Sequence, residues 1–516
     1  MKTKHQLSEP ISSKQMRALE VNAEYYGVSL LQLMENAGRG IAAEVVSRFP
    51  ATSRVVIFCG LGGNGGDGFV AARHLCSLGY NVTVVLAGRS ENIGHEAALR
   101  NWQALLPLSQ SVSTIEVPDS SSIPVIEADV VVDALLGTGT RGRLKPPIAQ
   151  LVEYFNNLEA FKIAADTPTG IDSDTGEVLG SAVKANLTVT FHAPKIGLKQ
   201  AMKSAGQLVV KDIGLPRELE EFAGPGDVLS ASRRRLPNAH KGDFGRLLVI
   251  GGSEVYSGAP SFVSLAALRT GVDIVYTAAP ERTSQAISSL SPDLITIKLE
   301  GKHLKPRSLD ELKPYIEAVD AVAIGPGLGV NPETKEFVKL CIDSVEKAGK
   351  SLLLDADGLK AFAEFKRRLR IPFVLTPHAG EYLILTGSKL PDDRKKRASG
   401  VRDVAAELNG VVLLKGQVDI ICSANQTKFN FTGNPGMTVG GTGDVLSGIV
   451  SGLLAQKVDT FDAAVVGAFV NGAAGDFAYN EIGYHMIASD ILEWIPRVFD
   501  DPMSHVKVRR DLGSFA

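Results

Sequence analysis

The sequence predicts an α/β chain of two domains, and three observations carry that expectation. Short β-branched runs alternate with longer amphipathic segments, the pattern of a largely parallel sheet between helical layers. Glycine-rich turns recur at the exits of these runs, where open α/β sheets bind their ligands. Between about residues 215 and 244 the rhythm breaks into Leu-Pro-Arg-Glu-Leu-Glu-Glu, Gly-Pro-Gly-Asp and Ser-Arg-Arg-Arg, all punctuation without apolar period. At 516 residues the chain is too long for one ordinary domain. The junction is placed there, giving domains 1–223 and 224–516 with no internal repeat.

In the first domain the apolar runs predict strands at 54–59, 81–86, 130–133, 162–166 and 187–191. In the second they fall at 246–251, 274–278, 321–324, 351–355, 373–375 and 411–415. Helical spacing predicts helices between them, among these 12–26, 29–48 and 69–78.

Composition narrows the class. Charged residues are 22% and hydrophobic residues 44%, enough for cores and too apolar for a disordered chain. A net charge of −3 argues against a general nucleic-acid binder. Cys59, Cys76, Cys341 and Cys422 are far apart and form no CxxC pair, which fits reduced packing thiols rather than zinc or disulfides. The first ten residues lack an apolar core and no apolar stretch reaches membrane-spanning length. No membrane partner is expected, and the expected location is the cytoplasm.

The most specific signal is Gly440-Gly441-Thr442-Gly443-Asp444-Val445-Leu446-Ser447-Gly448. The glycines free the backbone to aim N–H groups at one point, and the apolar run from Val445 has helical spacing. A glycine loop at a helix N-terminus suits a phosphate. Asp444 is then either the cap of that helix or a base that deprotonates a hydroxyl about to meet a phosphoryl group. The three glycines favour the base.

Further loops follow strands of the second domain: Gly251-Gly252-Ser253, Ser257-Gly258-Ala259-Pro260, Gly325-Pro326-Gly327-Leu328-Gly329, Thr376-Pro377-His378-Ala379-Gly380-Glu381 and Lys415-Gly416. Taken in order with the Gly-Thr-Gly-Asp run, they resemble the ADP-dependent NAD(P)H-hydrate dehydratases, a branch of the ribokinase-like fold, from about Val228 to the C-terminus. Gly-Thr-Gly-Asp alone fits any ribokinase-like kinase. Thr-Pro-His378-x-Gly-Glu381 together with Asn-x-x-Lys241-Gly-Asp243-Phe-Gly points to the dehydratase branch.

The resemblance implies a ribokinase-like three-layer αβα domain and, as substrate, the hydrate of NADH or NADPH. Asp444 would be the catalytic base, and Ala259, Gly327, His378 and Asp444 would touch the hydrate. Lys415, Gly416, Gln417, Val418, Asp419 and Gly443 would hold ADP as co-substrate, with Mg2+ bridging its phosphates. Alternatives stay open for single residues. His378 is also a natural helix cap and Lys415 a natural strand-end surface lysine. Asp355-Ala-Asp357 is either structural or metal-holding.

In the first domain the run after residue 59 reads Gly60-Leu-Gly-Gly63-Asn64-Gly65-Gly66-Asp67-Gly68, with a helix expected from Phe69. It is not a dinucleotide fingerprint, because Asn64 and Asp67 intrude and no acidic residue ends the next strand. Asp133 to Arg143 and Asp166-Thr167-Pro168-Thr169-Gly170 share its character. Oxygens of Asn64, Asp133 and Thr169 suit a hard cation, while Asp133 and Asp166 also suit simple capping of strand ends.

Together these loops resemble the NAD(P)H-hydrate epimerase domain, over roughly residues 11–222, and imply a Rossmann-like three-layer αβα fold. By that resemblance Asn64, Asp133 and Thr169 would bind K+. Gly63, Asn64, Gly65, Gly66, Asp67, Gly137, Thr138, Gly139, Thr140, Arg141, Gly142, Arg143 and Asp166 would contact the hydrate. Asp166 is the candidate acid/base, and Lys195 either assists it or is a packing or surface residue. Two departures stand out. Gly63 replaces an asparagine of the family's Asn-Asn-Gly-Gly-Asp, and Thr169 replaces the serine of its Pro-Ser-Gly.

The halves support one another, since an epimerase would deliver to the dehydratase the epimer it does not accept. The expected partners are NADH and NADPH hydrates and ADP, with self-association into a homo-oligomer. The rival reading is a ribokinase-like kinase of a vitamin precursor or sugar with a non-catalytic N-terminal binding module. A third keeps the dehydratase and makes the first domain a scaffold.

Overall fold

In a computed structural model, which describes residues 9–233, 235 and 237–509, the chain divides into two compact units at Leu219 and Glu220. The sequence-based junction lies four residues later. Residues 220–223 go with the second unit because Phe222 bridges to Phe429 and Ala223 N–H donates to Phe429 O at 2.9 Å.

The first unit is built on β1 (Arg54–Cys59), β2 (Asn81–Leu86), β3 (Val112–Glu116), β4 (Val130–Ala134), β5 (Phe161–Ala165), β6 (Leu187–Phe191) and β7 (Gln207–Lys211). They form one sheet in the order β3-β2-β1-β4-β5-β6-β7, parallel throughout. β4 and β6 are buried along their whole length, as a sheet covered on both faces requires. The strand order reverses between β1 and β4, which opens a crevice at their C-terminal ends.

The second unit carries β8 (Arg246–Ile250), β9 (Ile274–Pro280), β10 (Ile295–Leu299), β11 (Ala321–Ile324), β12 (Ser351–Leu354), β13 (Phe373–Leu375), β14 (Val411–Leu414), β15 (Asp419–Cys422) and β16 (Thr427–Asn430). The order is β10-β9-β8-β11-β12-β13-β14-β15-β16, parallel up to β14 and antiparallel beyond. Here the order reverses between β8 and β11. The exits of β8, β11, β12, β13 and β14 therefore lie side by side, so the loops 251–260, 325–329, 355–357, 376–381 and 415–418 share one edge of the sheet.

Five strands went unread in the sequence: β3, β7, β10, β15 and β16. All lie at or next to a sheet edge, where exposed positions interrupt the apolar run.

The helix after β1 also differs from expectation. It spans Gly63–Ser77 and so starts six residues before Phe69. The run Gly63–Asp67 is thus the opening of a helix, and its glycines serve close packing. A Cβ on Gly65 would stand 1.9 Å from Gly60 O. Close packing also seats helix Thr442–Ala455, where a Cβ on Gly448 would lie 2.4 Å from Val263 O on helix Gly258–Arg269.

Candidate active sites

In the second unit Gly441 is the N-cap of helix Thr442–Ala455 and takes φ +99°, a left-handed conformation that an L side chain rarely adopts. Gly440 and Gly443 have ordinary negative φ, so only one of the three expected special positions is special. The first bond within the helix runs from Val445 N–H to Gly441 O at 3.0 Å. The amides ahead of it are the unpaired donors of a helix start, aimed along the axis with the positive end of the dipole.

Asp444 is the third residue of the helix, not its cap, and no side chain caps this end. Its carboxyl is pushed up to about 7, chiefly by burial and next by the Asp355 anion, with Lys415 opposing and Glu381 adding. A carboxylate that titrates near neutrality is poised to take and release a proton.

Lys415 directly follows β14 and approaches from the other side: a Cβ on Gly443 would lie 3.5 Å from its Nζ. Lys415 Nζ donates to Asp355 Oδ1 at 2.8 Å and lies 3.9 Å from Glu381 Oε2. Its side chain is only 19% exposed, which removes the surface-lysine reading. Burial alone would lower its pKa, but the anions Asp355 and Glu381 raise it, so it stays charged.

Other expected residues divide. Ala259 and Gly327 are brought together: with φ +69° at Gly327, a Cβ there would stand 3.4 Å from Ala259 Cβ and 2.7 Å from Tyr256 Cβ. Tyr256, half exposed, is a wall that the sequence did not announce. His378 is a helix cap. Its Nδ1 accepts from Gly380 N–H at 3.0 Å and Glu381 N–H at 3.3 Å, while Glu381 Oε2 accepts from His378 N–H at 3.0 Å. Within this capping box the ring is still 59% exposed, and its Nε2 lies 3.5 Å from Glu381 Oε1.

Gly416, Gln417 and Val418 form the turn between β14 and β15. Asp419 shapes that turn, accepting from Gly416 N–H and from Asn430 Nδ2, each at 3.0 Å.

In the first unit Asp133, at the end of β4, is fully buried. Its Oδ1 accepts from Leu135 N–H at 3.1 Å and Thr169 Oγ1 at 2.7 Å, and its Oδ2 accepts from Thr169 N–H at 2.8 Å. Burial nonetheless pushes its pKa up to about 6. Thr169 Oγ1 also lies 2.9 Å from Leu136 N. Asn64 comes from the opposite side, its Oδ1 3.4 Å from where a Cβ on Gly137 would be, and both its side-chain polar atoms are buried without a partner. Asn64 thus borders Gly137, while Asp133 and Thr169 bond to Leu135 and Leu136 of the same loop.

Asp166 lies one residue beyond β5 with φ +61°, a strained conformation for this residue and one that clusters at functional sites. Its Oδ1 accepts from Thr190 Oγ1 at 3.2 Å and Phe191 N–H at 3.3 Å, and pairs closely with Lys195 Nζ. Lys195 is wholly buried and also donates to Thr190 Oγ1 at 3.2 Å and Phe191 O at 3.0 Å, so it is neither a surface residue nor mere packing.

Asp67 belongs to the same group. Burial first, then the Asp166 and Glu20 anions, raise its pKa well above the usual carboxylate range. Glu20, on helix Ser13–Tyr25, is raised to about 7 by burial and Asp166, against Lys195 and Arg17. Glu20 and Arg17 were missed from sequence. Glu20 was legible, because it sits between buried Met16 and Ala23 on the apolar stripe of its helix.

In the loop 137–143, Thr140 Oγ1 donates to Gly137 O at 2.9 Å. Arg141 is held by Asp174 Oδ2 at 3.2 Å and Ser13 Oγ at 3.0 Å, so its guanidinium braces the loop. Gly139 faces the Arg17 guanidinium, Gly142 takes φ +71°, and Arg143 is exposed.

Fold and sites together define a two-domain α/β protein: a Rossmann-like three-layer unit with a buried carboxylate–lysine pair, then a ribokinase-like three-layer unit with an uncapped helix start that carries a partly buried carboxyl in its first turn. Residues 247–497 match the family model described as NAD(P)H-hydrate dehydratase, and residues 30–197 match the one described as YjeF-related protein N-terminus. The chain is 46% identical over 498 residues to the Bifunctional NAD(P)H-hydrate repair enzyme Nnr of Pyrobaculum aerophilum, covering 95% of this chain and 98% of that one. It is 45% identical to the protein of the same name from Methanothermobacter thermautotrophicus, with 94% of each covered. A solved ADP/ATP-dependent NAD(P)H-hydrate dehydratase from Bacillus subtilis, co-crystallised with ATP/Mg2+, is 28% identical with a TM-score of 0.47, over 54% of this chain and 97% of that one. The chain belongs to the bifunctional NAD(P)H-hydrate repair enzyme family.

Proposed function

We propose that the chain repairs hydrated nicotinamide cofactors in two steps. The first unit interconverts the R and S hydrates of NADH and NADPH, and the second dehydrates the S form with ADP, releasing AMP and phosphate. Family membership along both units favours this over a kinase with an inert first domain. The observation that carries the chemistry is Asp444 in the first turn of an unblocked helix start, with the Lys415 ammonium facing Gly443.

Hydroxide leaves a ring carbon poorly and phosphate leaves well. Asp444 takes the proton of the hydrate hydroxyl as its oxygen attacks the terminal phosphorus of ADP, and AMP departs. The phosphate then leaves with the C–O electron pair. The neighbouring C–H pair becomes the restored ring double bond, and its proton goes to solvent. The first-turn amides of Gly443 and its neighbours, together with Lys415, offset charge on the transferring group. Ala259, Gly327 and the exposed ring of His378 face the hydrate.

Mg2+ would arrive with the nucleotide and neutralise its phosphates. The described residues hold no group of three acidic, His or Cys side chains that could bind a metal by themselves.

In the first unit Asp166 moves the proton, and Lys195 keeps it in place. The orphaned Asn64 Oδ1, which borders Gly137, is the side-chain atom left open to K+, which when bound would give the site a fixed positive charge. Asn64→Ala is expected to slow epimerisation. It should also abolish any rise in the thermal unfolding midpoint that K+ gives the parent protein.

The test of the reading is the purified chain with S hydrate and ADP, followed by absorbance, AMP and phosphate. Reformed NADH with one phosphate per turnover is expected; a stable phosphorylated product would mean a kinase. Because a base must be unprotonated, the dehydration rate should climb tenfold per pH unit at low pH and level off near about 7, where Asp444 titrates.

A further inference from the structure

Asp355 touches no reacting atom in the chemistry above, where it enters only as an anion that raises the Asp444 carboxyl, yet it is among the most constrained side chains of the second unit. It follows β12, is 2% exposed, and heads helix Ala356–Ala363 without capping it by its side chain. Its two oxygens reach two other elements instead. Lys415 Nζ, directly after β14, donates to Oδ1 at 2.8 Å. Ser447 Oγ, one turn into helix Thr442–Ala455, donates to Oδ2 at 2.7 Å. Burial alone would raise the pKa of this carboxyl. The Lys415 charge and the bonds from Lys415, Ser447 and Thr376 hold it below the usual range, so it is an anion.

Asp355 therefore ties the lysine to the helix whose first turn carries Asp444. A lysine has a flexible four-carbon stem and a point charge, so its place is set by what it is bonded to. With both oxygens engaged by donors, the Asp355 carboxylate is spoken for. This makes metal binding by the Asp355-Ala-Asp357 pair the weaker reading. Asp357 is also engaged, accepting from Gly329 N–H at 2.8 Å and Lys360 Nζ at 2.9 Å.

We propose that Asp355 is a positioning residue of the dehydration step. It holds the Lys415 ammonium against Gly443, where charge gathers on the phosphoryl group leaving ADP. The inference rests on ADP reacting at this helix start, as set out above. Glu381 Oε2, 3.9 Å from Lys415 Nζ, is too distant and too occupied by its capping box to replace Asp355.

The test uses the full chain with S hydrate and ADP, in Asp355→Asn, Lys415→Gln and the double variant. Asp355→Asn should lower kcat about 10- to 100-fold, the cost of a group displaced by about 1 Å, while KM for the S hydrate moves less than about threefold. The double variant should be no slower than Lys415→Gln alone, because Asp355 acts through the lysine. R-to-S epimerisation, carried by the first unit, should be the same in all three, and the thermal unfolding midpoint of the second unit reports whether that unit is folded.

Losses that multiply in the double variant would overturn the proposal, and so would Asp355→Asn turning over within about threefold of the parent. If Asp355→Asn is unstable because it takes the counter-charge from a buried ammonium, the double variant against Lys415→Gln decides alone, since both lack that ammonium. A parent protein that makes no NADH from S hydrate and ADP would sink the underlying reading and the proposal with it. An active parent with additive variants would sink the proposal only.

Discussion

Replacing Asp444 with asparagine is expected to lower the rate of ADP-dependent dehydration by about 10²- to 10⁴-fold, the range that a positioned general base supplies. The fold should be untouched. Asp444 is not the cap of its helix, and the helix is held by Val445, Leu446 and the buried residues after them. The asparagine is isosteric and can still hydrogen-bond the substrate hydroxyl, but it cannot take its proton. The loss should therefore fall on kcat, with KM for the hydrate little changed. The variant should also lose the pH dependence near about 7 that Asp444 gives the parent. Near-normal turnover would remove Asp444 from the chemistry.

Asp166→Asn should stop use of the R hydrate and leave dehydration of the S hydrate as it was. Asparagine is the better variant here than alanine. Asp166 pairs with Lys195, whose ammonium is wholly buried, and alanine would strand that charge at a cost of about 3–5 kcal/mol. Asparagine keeps an acceptor for Lys195 but removes the group that carries the proton. With pure R hydrate and ADP, NADH should form only at the rate of spontaneous epimerisation. Adding the S hydrate should restore full turnover at once. Loss of both activities would mean that the two units act as one, or that Asp166 is structural.

What the sequence revealed tracks burial. Central strands such as β4, β11 and β14 are apolar runs of valine, isoleucine, leucine and alanine, broken only by Asp133, buried along their length, and were read within a residue or two. Edge strands such as β3 (Val-Ser-Thr-Ile-Glu) and β10 (Ile-Thr-Ile-Lys-Leu) carry polar residues on exposed positions, so the run that would mark them is broken.

The candidate sites were legible where a glycine loop met a strand end, because chain direction alone places those residues. Contacts across the fold were not. No spacing rule joins Asp355 to Lys415, 60 residues on, or Glu20 to Asp166 in another layer. Asp419, expected to bind nucleotide, also shapes the loop that would do so, accepting from Gly416 N–H and Asn430 Nδ2 across the β14–β15 hairpin. His378 proves to be a cap because the residue three positions later is Glu381, a capping-box pattern already visible in the sequence.

The central claim is that the ring hydroxyl leaves as part of phosphate, and an oxygen label follows it directly. S hydrate carrying 18O in its hydroxyl would be given ADP and the Asp166→Asn variant in ordinary water, so that epimerisation cannot wash out the label. The account predicts one 18O in each inorganic phosphate released with NADH. Unlabelled phosphate, with the label in water, would contradict it, because ADP hydrolysis and hydroxide loss would then be separate events.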